Sequence, residues 1–143
     1  MVVMYEFAYG YSDVERKTTG LFDKLVEHLV KIYLINDKRL NKYHIGEISI
    51  FINDILDILS KAKRKIKRPK LEKWYFIDEL DNTIENLIIK VHNDYDFYPV
   101  RNYVYVKKKV NNVINNLLDC FARRDRKCCL KILKQIETDV EIR

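Results

Sequence analysis

Glycine and proline are scarce in this chain of 143 residues, with three of one and two of the other. A β-sandwich or barrel needs a turn roughly every 8–12 residues, and so few turn formers cannot supply them. No phosphate-cradling loop of the GxxxxGK[ST] or GxGxxG kind can be written from Gly10, Gly20 and Gly46. Cysteine is as sparse. Cys120, Cys128 and Cys129 are odd in number and lack CxxC spacing, which reads as free thiols in a reducing cytosol and not as a disulfide framework. His28, His44 and His92 are far apart in sequence, so no zinc site is written and no cofactor is expected. Apolar runs are short: Leu29–Ile35 is interrupted by Lys31, well below the ~18–20 residues of a membrane span. The N-terminus lacks a basic region followed by an apolar stretch, so no signal peptide is expected and a cytoplasmic location follows.

What is present is globular and basic: 48% hydrophobic residues, 34% charged, and a net charge of +6. The length suits one domain. Residues 1–20, with Tyr5, Phe7, Tyr9 and Tyr11 alternating, read as a short strand or an ordered N-terminal arm. From Leu21 the spacing turns helical. Leu21, Phe22, Leu25, Val26, Leu29, Val30 and Tyr33 form one stripe, and Asn36–Tyr43 is a polar break. A second stripe runs through Ile45, Ile48, Ile52, Ile55, Leu59 and Ala62. A third follows Pro69 through Leu71, Trp74, Ile77, Leu80, Ile84, Leu87, Ile88 and Val91. His92–Pro99 is a turn, with Pro99 placed to open the helix whose stripe is Tyr103, Val106, Val110, Val113, Ile114, Leu117, Leu118 and Phe121.

These patterns predict an all-α protein: an up-down-up-down four-helix bundle over residues 21–124, an arm over 1–20, and a tail over 125–143 with a short helix at Cys128–Ile136. The expected core includes Leu21, Leu25, Ile48, Ile52, Ile55, Ile84, Ile88, Val110, Ile114 and Leu117. The first helix, with Leu34 added, and the off-stripe Ile50 and Ile58 carry more apolar surface than one core readily absorbs. Self-association or an unusually wide core face would each account for that.

Charge is concentrated. Lys61, Lys63, Arg64, Lys65, Lys67, Arg68, Lys70 and Lys73 face only Glu72 within residues 61–73, so that segment carries +7 and the remaining 130 residues sum to −1. Arg123, Arg124, Arg126 and Lys127 follow the fourth helix. In an up-down-up-down bundle the second and fourth helices end at the same pole, which makes one patch of two runs. Such a patch suits the phosphate backbone of RNA or DNA, because neutralised phosphates release counterions without base reading. A solvated lysine-rich loop is the alternative. Little in the segment would anchor it to a membrane, since Ala62 and Ile66 are its apolar residues between Lys61 and Lys70.

Catalytic candidates are few. Asp78, Asp81 and Glu85 share a helix face that reads either as a divalent-metal site or, more simply, as the solvated side opposite Ile84. Cys120, beside Phe121, reads as an apolar filler. Arg39 through His44 fits the Rx4–6H pattern of HEPN-type helical ribonucleases, in which the pair acts on an RNA phosphate and 2′-hydroxyl. A pattern this short arises readily by chance, and Leu40 stands where those enzymes usually have a polar residue.

The stretch LFDKLVEHLVKIYLINDKRLNKYHIGEISIFINDILDILSKA combines an aliphatic helix, a basic loop (Lys38, Arg39, Lys42), Gly46 early in a long second helix and a small closing residue. NYVYVKKKVNNVINNLLDCFARR has Tyr103 near its start and basic residues after Phe121. Together, over about residues 21–124, they resemble the accessory variability determinant family, the four-helix-bundle partners of reverse transcriptases in diversity-generating retroelements, related to bundle proteins encoded by ribosomal-RNA intervening sequences. The chain departs from that family in lacking Phe-Pro-Arg in the loop, in having Asn115 and Asn116 where a Gly is common, and in having Phe121 for a Trp. The resemblance implies a homopentamer whose basic surface contacts a reverse transcriptase and its RNA or DNA, without catalysis of its own.

Overall fold

In the computed structural model the described residues form the helices α1 (Val2–Leu34), α2 (Lys38–Lys61), α3 (Leu80–Asp94), α4 (Tyr103–Arg123) and α5 (Arg126–Glu141). The structure describes residues 2–35, 37–61 and 80–141, with side chains from Lys17 to Val140 in those ranges. Among them the nearest thing to a strand is an isolated antiparallel bridge, Ile35 to Val100. The described residues are all-helical, as their stripes require.

Local chemistry sets the helix ends. Asp37 accepts from the backbone N–H of Arg39 and Leu40, so α2 starts within the stretch read as a polar break, where an N-cap carboxylate satisfies donors that would otherwise be orphaned. Asn102 does the same for α4, accepting from Val104 and Tyr105. Pro99 therefore lies in the connection and does not open the helix; Arg101 N–H instead donates to the Leu34 carbonyl. α4 stops at Arg124, the one non-glycine residue with positive φ (52°) among those described, whose N–H reaches back to the Phe121 carbonyl. Asp125 then caps α5 by accepting from the Cys128 N–H.

The helices pack as two hairpins closed by a fifth element. α1 lies against α2, α3 and α4, and α5 packs on α2 and α4. Within α3–α4, Asn111 donates to Asp81 (3.0 Å) and Lys107 to Glu85 (2.7 Å), rungs that run in opposite senses along the two helices. Every expected core residue is buried except Leu21, which is half-buried.

Two expectations are corrected and one alternative is realised. The backbone of Val2–Gly20 is helical and continuous with α1, not a strand, since nothing in that stretch breaks a helix. The C-terminal helix is longer than expected and is no appendage, because Cys129, Leu133, Ile136 and Val140 are buried in the common core. The apolar face of α1 is buried within the chain, as the wide-core reading requires. Phe22, Val26, Val30, Ile32, Leu34 and the adjoining Ile35 are buried, while Ile50 stays exposed. Leu71, Trp74 and Ile77 of the third stripe, with Pro69, lie outside the described residues.

Candidate nucleic-acid interface

The candidate interface is built where α2 ends and the α4–α5 turn begins. Arg124, held in the left-handed conformation, sends its Nε to the Leu59 carbonyl at 3.1 Å, and burial lowers its pKa. Arg126 reaches Asn53 and, at 3.5 Å, Asp57 one turn nearer the end of α2. These contacts put the α4–α5 turn against the C-terminal part of α2, beside the stretch that ends at Lys61. The arginines there are structural ties as well as charges. Arg123 pairs with Asp119 at 3.0 Å, Arg124 with a backbone carbonyl and Arg126 with α2, whereas Lys61 and Lys127 are exposed. Lys63, Arg64, Lys65, Lys67, Arg68, Lys70 and Lys73 lie outside the described residues.

The expectation of free thiols is corrected at this turn. Cys120 and Cys128 form a disulfide across a Cα separation of 5.6 Å, and Cys129 is free and buried. The left-handed residue folds α5 back beside the end of α4, which brings together cysteines eight apart in sequence.

The ribonuclease pair is not assembled. Arg39 has 93% of its side chain exposed and turns to Asp37. His44 is 2% exposed and packs inward, its Nδ1 2.8 Å from Nδ1 of His28, with Tyr43 and Phe51 around the pair. Desolvation, reinforced by His28 and Lys31, lowers the His44 pKa to about 4, and His28 shifts the same way. His44 Nε2 and Asn41 Oδ1 are buried without a hydrogen-bond partner among the described residues. A neutral, enclosed imidazole is poorly placed to exchange a proton with bound RNA.

Of the acidic face on α3, Asp81 and Glu85 are occupied by Asn111 and Lys107, and no group of three or more metal-ligating side chains occurs among the described residues. Asp78 lies outside them. One surface escaped the sequence reading. Tyr103, placed there in the core stripe, is instead exposed and touches His92, and with Ile89 and Val104 (75% exposed) it forms an apolar patch. Glu85, Ile88, Ile89, Tyr103, Val104 and Lys107 line a groove of about 350 Å³ there. The usable signal was Tyr-Val-Tyr-Val directly after the Asn102 cap, where alternation puts apolar residues on every side of a first helical turn.

No family model matches the chain, and no curated protein or solved structure matches it. The family resemblance of residues 21–124 thus stands on its motifs alone. The glycine of those motifs, Gly46, is exposed, and a Cβ there would meet nothing within 4 Å.

Proposed function

We propose that this chain is a non-catalytic accessory subunit that binds the phosphate backbone of RNA or DNA through its basic end. The observation that carries the reading is the Arg124–Leu59 hydrogen bond. It joins the α4–α5 turn to the helix end at Lys61, where the segment with +7 of net charge begins in the sequence. Concentrated positive charge on an otherwise near-neutral molecule binds polyanions by counterion release and without base recognition. The reverse-transcriptase partner, the support of cDNA synthesis in a diversity-generating retroelement, the closed homo-oligomeric ring, the up-down-up-down order of α1 to α4 and the cytoplasmic setting complete the proposal. The first three rest on the family resemblance. No described helix is long and apolar enough to cross a membrane.

The test is equilibrium binding to mixed-sequence RNA and DNA across a salt series. Engagement of about four to six phosphates gives a log–log slope of roughly −3 to −5. Replacing Lys63, Arg64, Lys67 and Arg68 with Gln flattens that slope and weakens binding, with the helical signal unchanged. Salt-insensitive or absent binding overturns the reading. That result would favour a second one, a protein-interaction bundle, for which the exposed Ile89, Phe97 and Val104 are the specific observation.

A further inference from the structure

The three cysteines at the α4–α5 turn occupy three different environments. Cys120, in the last turn of α4, is fully buried. Cys128, in the first turn of α5, is half-buried, and Nη2 of Arg123 lies 3.3 Å from its Sγ. Cys129 is enclosed on the core side, where burial above all, with Asp125 adding to it, pushes its thiol up to about 11. Of the three cysteines only Cys128 is not fully buried, so an approaching thiolate meets that residue first. The same Nη2 of Arg123 pairs with Asp119 at 3.0 Å, which holds the guanidinium against the sulfur, where it stabilises negative charge when the disulfide opens.

We propose that Cys128 is a reversible thiol–disulfide exchange site for low-molecular-weight thiols, with Cys120 as its resolving partner and Arg123 as a positioning residue. A thiolate RS⁻ attacks Cys128 Sγ. The Cys128–Cys120 bond breaks as the Cys128–SR bond forms, and the electron pair leaves on Cys120 Sγ, which takes a proton from solvent. A second RS⁻ attacks the sulfur of R, releasing RSSR and leaving Cys128 as a thiolate beside Arg123. Two electrons pass from two small thiols to one protein disulfide, and the reverse sequence, driven by a small disulfide, closes it again. The bond spans Arg123, Arg124, Asp125, Arg126 and Lys127, so its state sets how tightly the start of α5 is held to α4. The inference does not depend on nucleic-acid binding.

The experiment uses the full chain, reduced and then exposed to oxidised glutathione, with acid quenching, intact mass and peptide mapping. The wild type shows a transient single adduct on Cys128 that converts to the Cys120–Cys128 bond. In Cys120→Ser the adduct persists on Cys128, and Cys129→Ala reacts like the wild type. Arg123→Gln slows adduct formation roughly threefold at neutral pH. A one-unit rise in thiol pKa removes about tenfold of the thiolate and returns about threefold in nucleophilicity. The same variant moves the pH–rate midpoint upward, and Arg123→Lys restores most of the rate, responses that a merely structural role would not produce. An adduct on Cys129, no adduct at all, or equal rates and midpoints in Arg123→Gln would overturn the proposal.

Discussion

At the scale of single residues, the most informative contact is between His28 and His44, because two imidazoles joined Nδ1 to Nδ1 share one proton and tolerate no second. His44 ionises at about 4 in the fold against an ordinary 6.5, so between those values the unfolded chain binds more protons than the native one. Stability therefore rises with pH across that window and is lost as pH falls from 6.5 toward 4. The loss should amount to roughly 2 kcal/mol once solvent screening is allowed for. Urea midpoints at pH 4.5 and 7 will show it, and His44→Leu should remove most of the difference; a variant as acid-sensitive as the wild type would exclude His44 as the source. Gly46 makes the opposite kind of prediction. With open space at its Cβ position inside α2, Gly46→Ala should stabilise the isolated chain by about 0.5–1 kcal/mol, read as a raised urea midpoint. A destabilised variant would mean that the exposed face of α2 is covered in solution.

At the scale of elements, α5 decides how the molecule is built. It contributes Cys129, Leu133, Ile136 and Val140 to the core, and burying each large apolar side chain is worth about 1.5–3 kcal/mol. Total stabilities are only about 5–15 kcal/mol. A chain ending at Asp125 should thus lose its cooperative thermal transition; a sharp melt in that truncation would return α5 to the status of a tail. The Cys120–Cys128 bond adds to the hold, since closing so short a loop contributes about 2.5 kcal/mol by chain entropy. Helix identity was legible because Ile48, Ile52, Ile55 and Leu59 recur at spacings that one helix face demands. The helix ends were less so, because Asp37 and Asn102 act through single side-chain hydrogen bonds that leave no periodic trace. Tertiary pairings were not legible at all. His28 meets His44, and Cys120 meets Cys128, only after antiparallel packing and a left-handed turn bring them together. Of the two basic runs, the one that follows α4 is seen beside the end of α2, through Arg124 and Leu59, while the other lies outside the described residues beyond Lys61.

At the scale of the whole molecule, the question is whether the helical frame supports chemistry or only contact, and His44 separates the two. An RNA-cutting enzyme of the Arg–His type needs both side chains at one solvent-facing phosphate. Here Arg39 is nearly all exposed while His44 is enclosed between α1 and α2, with the neutral partner His28 on one nitrogen. Moving His44 to the surface would expose the apolar neighbours it packs with and open the α1–α2 contact. Purified protein incubated with labelled RNA, with and without added divalent metal, is therefore expected to bind in a salt-dependent manner and leave the RNA intact. His44→Ala should act on stability, lowering the unfolding midpoint, while Arg39→Ala should change neither stability nor RNA integrity. Metal-independent cleavage that vanishes in both variants, with their folds preserved, would show that the two side chains meet in solution and would replace the accessory-subunit reading with a nuclease.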